Sequence, residues 1–228
     1  MEKPPSSAEV ACRRADERGD PGGASNLGVL LAERGDVEGA EAAWRRADER
    51  GDPGGACNLG VLLHERGDLQ GAEAAYRRAD ERADPGGASN LGVLLAERGD
   101  LKGAEAAWQR ADERADPGGA YNLGVLLKER RDLEGAEAAW RRADERGDPG
   151  GAYNLGVLLK KREDLEGAEA AWRRADERGH PGGAYTLGVL LKERGDLEGA
   201  KAAWRRAADS PDQQVTTLAR DALSPTDD

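Results

Sequence analysis

Several residue types that build ordinary globular cores are absent or scarce in this 228-residue chain. There is no phenylalanine and no isoleucine, only one methionine, and aromatic residues make up 4% of the sequence. The remaining apolar residues are mainly alanine, leucine and valine, a supply too thin for one deep core. It suits small helical units that each bury one face against the next unit.

Cysteine and histidine are equally scarce, with two of each, and no CxxC pair occurs. This argues against a disulfide framework and against a metal site. Cys57 and His64 lie two turns apart on one predicted helix, about 10 Å along its axis, too far for the imidazole to activate the thiol. Every carboxylate recurs with the repeating pattern described below. The sequence therefore predicts neither an enzyme nor a cofactor or metal site.

The charge balance excludes one class of partner. Formal net charge is −11 with a pI near 4.9, whereas nucleic-acid-binding domains carry a basic surface. No apolar run approaches the roughly 18 residues of a membrane span, and the start "MEKPPSSAEV" lacks a signal-peptide pattern. We therefore expect a cytoplasmic protein without nucleic-acid or membrane partners. The preference for Arg over Lys, with abundant Ala and Gly, indicates a high-GC bacterial genome.

The chain repeats with a period of 32 residues. An aromatic column defines the period: Trp44, Tyr76, Trp108, Trp140, Trp172 and Trp204. The units 118–149 and 150–181 differ at only three positions, which indicates either recent duplication or a consensus design.

Each unit carries the signals of two helices. Asp148 and the proline after it predict the start of the first helix, and Asp164 predicts the start of the second. Leu155, Leu158 and Leu159 form an apolar stripe on the first helix. Gly179 supplies the left-handed residue that ends the second helix; alanine takes that place at Ala83 and Ala115.

Two glycines stand inside the predicted helices, where each costs about 1 kcal/mol relative to alanine. We expect Gly156 and Gly167 to permit close approach of the two helices, with Gly156 facing Ala168 and its neighbours. Trp172 is then expected to be a core residue rather than part of a cofactor site.

The ends differ from the repeats, as caps of a stacked array must. We predict a disordered tail at 1–10, a half repeat at 11–19, full repeats from about 20 to 209, a capping helix at 210–224 and a tail at 225–228. The apolar stripe of the capping helix is expected to contain Val215, Leu218, Ala222 and Leu223. The predicted fold is all-α, with six full repeats between the half repeat and the capping helix.

The repeated columns resemble those of the tetratricopeptide repeat, which is commonly 34 residues long. In one unit they are Thr186, Leu187, Gly188, Gly195, Asp196, Ala200, Trp204 and Ala207. The junction "ADERGHPGGAY" resembles the Sel1-like repeat instead. The resemblance covers residues 11 to about 208. It implies a right-handed α-solenoid, a superhelix of antiparallel helix pairs that serves as a protein–protein interaction scaffold. Its first helices would line a concave groove that holds an extended peptide.

Two columns of the first helix change together at the middle of the array. Ser25, Cys57 and Ser89 give way to tyrosine, and Ala32, His64 and Ala96 give way to lysine. We therefore expect repeats four to six to bind a peptide that is acidic or has a free C-terminal carboxylate, with asparagines contacting its backbone. The predicted site is Tyr121, Asn122, Lys128, Tyr153, Asn154, Lys160, Tyr185 and Lys192. Val157 and Lys161 belong to the same predicted groove.

An alternative interpretation treats the same letters as family consensus without a dedicated ligand. The lysines would then pair with nearby acids, each pair contributing less than about 1 kcal/mol when exposed. The chain would be a structural, self-assembling or engineered repeat protein. The distinct terminal helices favour a monomer over a filament.

Overall fold

The computed structural model describes residues 5–224, and within that range it contains fourteen α-helices and no strand. The prediction of an all-α repeat fold is confirmed. The helices are α1 (Ser7–Glu17), α2 (Pro21–Glu33), α3 (Val37–Glu49), α4 (Pro53–Glu65), α5 (Leu69–Glu81), α6 (Pro85–Glu97), α7 (Leu101–Glu113), α8 (Pro117–Glu129), α9 (Leu133–Glu145), α10 (Pro149–Lys161), α11 (Leu165–Glu177), α12 (Gly183–Glu193), α13 (Leu197–Ala208) and α14 (Gln213–Leu223).

The chain divides into two compact units, Met1–Gly119 and Ala120–Asp228. In the first unit, α2 packs on α3, α4 on α5 and α6 on α7, and α1 covers the open face of α2. In the second unit, α10 packs on α11 and α12 on α13, and α14 packs on α13. Each first helix of a pair also packs on the second helix of the preceding pair within its unit. Each unit is therefore a stack of helical repeats.

The terminal helices differ in extent from the sequence-based boundaries. Helix α1 begins at Ser7, inside the stretch predicted to be a disordered tail, because the Ser6 hydroxyl accepts a hydrogen bond from the Glu9 amide at 3.1 Å. Helix α14 begins at Gln213, where Asp212 caps it. The predicted tail at 225–228 and residues 1–4 lie outside the described residues.

One member of the predicted stripe of the capping helix was placed wrongly. Val215, Ala222 and Leu223 pack against the core of the second unit, but Leu218 is 46% exposed and Ala219 is fully buried instead. Val215, Ala219, Ala222 and Leu223 follow at i, i+4, i+7 and i+8 and form the packed side of the helix, and Leu218 lies outside it.

Aspartate caps begin both helices of a repeat as the sequence predicts. The Asp148 carboxylate accepts from the Gly151 amide at 2.5 Å, and the Asp164 carboxylate accepts from the Gly167 amide at 2.9 Å. The second of these bonds explains Gly167. A Cβ at that position would collide with the Asp164 carboxylate, so the glycine serves the cap and not the approach of the two helices. The expectation for Gly167 was therefore wrong.

Gly156 does permit close approach, but its neighbour is the tryptophan and not Ala168. A Cβ on Gly156 would lie 2.6 Å from the indole nitrogen of Trp172, closer than real contacts allow. The indole therefore lies flat against the backbone of the first helix of its own repeat. Trp172 is 1% exposed, which confirms its place in the core.

Buried aspartates join consecutive repeats through pairs of arginines. Asp144 near the end of α9 is 3% exposed, and its carboxylate lies 2.5 Å from Arg174 and 2.6 Å from Arg178 of α11. Asp16, Asp48 and Asp80 make the same double contact with arginines 30 and 34 residues later. Asp176 bonds to Arg206, and Ser210 stands where the second arginine would be. We call these contacts the aspartate staples.

Burial alone raises the pKa of the Asp48 carboxyl, but hydrogen bonds from Arg78 and Arg82 outweigh burial and hold that pKa below its ordinary value. The pKa values of Asp80 and Asp144 are lowered in the same way. At Asp16 the hydrogen bond from Arg46 is the main cause of the lowered pKa. The staples therefore stabilise the fold in the carboxylate form.

A second charged column links each second helix to the following first helix. Glu169 lies 2.7 Å from Arg173 on its own helix and 2.8 Å from Arg194 at the end of α12. Glu9 makes the equivalent contacts with Arg13 and Arg34. Much of the charge in this chain is thus engaged between repeats rather than simply solvated.

His180 replaces the capping aspartate in the last full repeat. Its Nδ1 accepts from the Gly182 amide at 3.2 Å, and α12 begins only at Gly183, two residues later than the corresponding helices. Burial lowers the pKa of His180, so the neutral ring that accepts this bond is favoured.

The turns yield the first prediction. Glu163 has φ +64°, a left-handed conformation that glycine adopts at the same place in Gly67 and Gly195. This conformation costs a non-glycine residue about 1 kcal/mol. We expect Glu163→Gly to increase the free energy of unfolding by about 0.5–1 kcal/mol, since glycine's greater freedom in the unfolded chain offsets part of the gain. Urea unfolding followed by circular dichroism measures the difference. The reverse change, Gly67→Ala, should destabilise by a similar amount, and a stabilising Gly67→Ala would contradict the explanation.

The staples yield the second prediction. Asp48→Asn should lower the free energy of unfolding at pH 7 by about 1–2 kcal/mol, because a charged acceptor is lost while the two arginines stay partly hydrated. The folded-state pKa of Asp48 lies below its unfolded value of about 3.9. Its contribution is therefore present above that value and disappears as pH falls through the lower folded-state pKa.

The measurement is the difference in urea midpoint between wild type and Asp48→Asn at pH 7 and at pH 2.5. Asp176→Asn is the matched control, because Asp176 bonds to Arg206 and is less buried, so its effect should be smaller. A difference that persists undiminished at pH 2.5 would show that the carboxylate charge is not the cause.

Candidate functional site

The predicted site residues of each later repeat lie on one side of its first helix. In α10, Tyr153, Asn154, Val157 and Lys160 follow at helical spacing, and all four are half-buried. We call the surface formed by these positions in α8, α10 and α12 the first-helix face. It lies within the second unit, from Tyr121 onward.

The tyrosines of this face use part of each ring to contact the next repeat. The Tyr121 ring covers Gly150, where a Cβ would lie 2.8 Å from it. The Tyr153 ring stacks on His180 with 4.2 Å between centroids and an angle of 15° between planes. Tyr185 is also half-buried. The rings of Tyr121 and Tyr153 are thus held against the next repeat, and all three tyrosines stay partly exposed.

The backbone under each tyrosine is fixed by the core. The indole N–H of Trp172 donates to the carbonyl oxygen of Tyr153 at 3.1 Å, and Trp204 donates to Tyr185 at 3.2 Å. The same bond occurs in the first unit, where Trp44 donates to Ser25 at 3.2 Å. The indole bonds to this carbonyl when the residue is serine and also when it is tyrosine. The side chain at this position can therefore vary while the bond between the two helices is kept.

The lysines of the face do not share one environment. Lys160 Nζ lies 2.7 Å from the Glu193 carboxylate. Lys192 Nζ lies 5.8 Å from the centre of the Trp204 ring, and Lys128 Nζ lies 6.0 Å from that of Trp140. Their role as ligand contacts remains a prediction.

A small apolar cavity opens on the face between repeats four and five. It has a volume of about 150 Å³, and it lies over the core tryptophan of repeat four. Its apolar walls are Leu133, Trp140, Val157 and Leu158, and three cations line it as well: Lys128, Lys161 and Arg162. Asn154, one of the predicted backbone-binding residues, also lines the cavity. The structure thus brings Lys128 and Asn154 together, while Lys160 points into a separate ion pair.

Sequence reasoning missed Leu133 and the staples. Leucine at the first position of the second helix is exposed in several repeats, with Leu133 at 44% and Leu197 at 55%. The signal was available, since an apolar residue recurs directly after the capping aspartate, outside the core stripe. The sequence pattern alone does not show that Leu133 borders the first-helix face.

The cysteine–histidine pair is not poised for catalysis. Burial raises the pKa of the Cys57 thiol to about 12, so the thiol stays protonated at neutral pH. His64 Nε2 lies 3.0 Å from Glu97 instead. Within residues 5–224 there is no group of three or more His, Cys, Asp or Glu side chains that could hold a metal ion. In the same range no helix is both long and apolar enough to cross a membrane.

Comparisons with known proteins agree with the repeat architecture. A tetratricopeptide-repeat family model matches residues 25–88, and a second model of the same description matches residues 85–110 and 181–206. No curated protein sequence matches the chain.

Solved structures show the fold at low sequence identity. The protective antigen c5321 of uropathogenic Escherichia coli, which displays an SLR fold, has a TM-score of 0.81 and 21% identity over 94% of this chain. This chain spans only 51% of the length of c5321. A Sel1 repeat protein from Oxalobacter formigenes has a TM-score of 0.68 and 18% identity, covering 92% of this chain and 100% of its own.

YrrB, described as a tetratricopeptide-repeat protein with an unusual peptide-binding site, has a TM-score of 0.51 and 23% identity over 78% of this chain and 98% of its own. Folds of this kind are typical of protein–protein interaction scaffolds. The family matches, the structural likeness and the 32-residue columns agree: the chain is a helical repeat protein with tetratricopeptide repeats at residues 25–110 and 181–206, and its fold is like that of Sel1-like repeat proteins.

Proposed function

We propose that this chain is a non-catalytic scaffold that binds an extended peptide or protein segment along the first-helix face of repeats four to six. The observation that carries the proposal is the row of half-exposed tyrosines whose backbones are held by buried tryptophans. Tyr121, Tyr153 and Tyr185 each keep part of a rigid ring accessible. Such rings give large contact area at low entropic cost, which is why binding surfaces favour them.

Exposed leucines recur at the first position of the second helices, and one of them, Leu133, lines the cavity on the first-helix face. Leu133 and Leu165 are 44% and 37% exposed at the start of their helices, and Leu197 is 55% exposed. Together with the half-buried Val157, they supply apolar area that water contacts in the free chain. Covering it would add a hydrophobic contribution to binding of about 25 cal/mol per Å² before ordering costs.

The lysines of the first-helix face favour a bound segment that carries negative charge. Lys128, Lys160 and Lys192 stand at the C-terminal end of each first helix, while the chain as a whole is acidic. A segment with acidic side chains or a free C-terminal carboxylate would therefore be attracted to this surface more than to the rest of the molecule. Asn122 and Asn154 offer amides that can bond to the backbone of an extended chain.

The dimensions suit a short segment. Three repeats at about 8–10 Å each span about 25–30 Å, which corresponds to roughly eight extended residues at ~3.3 Å per residue. YrrB, the structural neighbour with a peptide-binding site, supports peptide recognition on this fold. We further propose a monomer in a bacterial cytoplasm, in keeping with the two free cysteines, Cys12 and Cys57.

The third prediction tests this function with a defined probe. Twelve-residue peptides selected from a random phage-displayed library on the immobilised chain are synthesised and titrated by fluorescence anisotropy. Replacing Tyr121, Tyr153 and Tyr185 together by serine, the residue of repeats one and three, should weaken binding at least tenfold, or about 1.4 kcal/mol. The serine side chain is already accepted at this position, so the variant should remain folded.

The matched control replaces Arg141 and Arg173 by serine; both are exposed on second helices, and each pairs with a glutamate of its own helix. Its affinity should equal that of the wild type. Selection of no peptide, or equal loss in the control, would reject the binding face. Light scattering over a concentration series decides the rival interpretation, because particles that grow with concentration would indicate a self-assembling array.

A further inference from the structure

On the first-helix face, the residue 33 positions after the lysine column is a glutamate in every repeat except repeat five, where it is Lys161. Lys160 pairs with Glu193 across adjacent repeats at 2.7 Å. The same spacing joins Lys128 to Lys161, so two lysines meet where a lysine and a glutamate would otherwise stand. Lys161 is one of only three residues that distinguish repeat five from repeat four, which has Glu129 there. The reversal of charge is therefore local to this junction.

Among the residues that the structure describes, no acid compensates the two lysines. Within residues 5–224, neither Lys128 nor Lys161 lies within ion-pair distance of a carboxylate. The nearby Arg162 is already bound to Glu137 at 2.5 Å. Two uncompensated cations that line one cavity produce a positive potential on an otherwise acidic molecule. Such a potential favours an anionic group from another molecule.

The cavity between them has a size and lining that suit an apolar group. Its volume of about 150 Å³ is enough to admit a group as large as a benzene ring. The walls of Trp140, Leu133 and Val157 offer an apolar lining but no charge. A leucine or valine side chain would fit there while its neighbour in the sequence reaches the lysines.

We propose that this cavity is a specificity subsite that takes one aliphatic side chain of a bound segment, with the carboxylate of an adjacent acidic side chain held between Lys128 and Lys161. The subsite rests on the proposed peptide-binding function. Its occupant is an internal residue pair, because the accessible row continues beyond the cavity through Leu165, Tyr185 and Leu197. Asn154, which lines the cavity, is positioned to bond to the backbone of that pair.

The fourth prediction uses a probe that does not depend on peptide binding. The indole N–H resonance of Trp140 is followed by NMR during titration with 4-methylpentanoate, in which one methylene links an isobutyl group to a carboxylate. We expect a saturable shift of this resonance and at least tenfold weaker binding of the isosteric 4-methylpentanamide. Equal binding of acid and amide, or no shift of Trp140 with the acid, would overturn the subsite.

Two variants exchange the charges at the equivalent positions 161 and 193. Lys161→Glu recreates the pair that Lys160 and Glu193 already form, so it should remain folded and should lose binding of 4-methylpentanoate at least tenfold. Glu193→Lys creates the double-lysine arrangement beside Trp172, and the indole N–H of that residue should then shift with the same probe. Retained binding in Lys161→Glu would contradict the assignment.

Peptide titrations separate this inference from the proposed function. Amidated peptides selected as described above and containing a Leu-Glu pair should bind at least tenfold more tightly than their Leu-Gln counterparts, and Lys161→Glu should abolish the difference. If no peptide binds while 4-methylpentanoate still shifts Trp140, the peptide-binding function is rejected and the chemistry of the cavity stands. If binding requires a free C-terminus, the assignment to an internal acidic side chain is overturned.

Discussion

The contact between an indole and a helix backbone is the constraint on which the rest of this structure depends. In most repeats a tryptophan of the second helix lies against a glycine of the first helix and donates its N–H to a carbonyl 19 residues earlier. Any side chain at the glycine would displace the ring. The bond satisfies a buried polar group and fixes the distance between the two helices at the same time. In a chain without phenylalanine or isoleucine, this repeated contact supplies the largest side chains of a core that otherwise consists of leucine and alanine.

The carbonyl that accepts this bond belongs to the column of the first helix that varies between repeats, with Ser25 and Tyr153 as examples. The bond therefore connects the core to a residue whose side chain lies at the surface. The same indole bond to the backbone carbonyl forms at Ser25 and at Tyr153, so the side chain at this position can be serine or tyrosine while the bond is kept. The aspartate staples act in the same way between repeats, since they engage Asp48 or Asp144 with arginines of the next second helix. Charges that look like a solvated surface in the sequence are therefore largely committed to stacking. Within residues 5–224, Lys128 and Lys161 have no carboxylate partner of this kind.

Features set by neighbours close in sequence could be predicted from the sequence. The aspartate caps, the left-handed turn residues and the limits of most helices follow from interactions within about five residues, and the 32-residue period identifies the units. The staples join residues 30 and 34 apart, and the cavity depends on a spacing of 33. These require the angle between adjacent repeats, which periodicity does not supply. Gly167 shows the opposite error, because a local cap was taken for a long-range contact.

The central claim is that the tryptophan bond holds the scaffold independently of the residue displayed in front of it. Hydrogen exchange of the Trp172 indole N–H, measured by NMR in the wild type and in Tyr153→Ser, tests this most directly. Strong protection that is equal in both proteins is the predicted result, because the donor is buried and its acceptor is a backbone atom. Rapid exchange in the wild type, or protection that is lost in Tyr153→Ser, would contradict the separation of scaffold and surface.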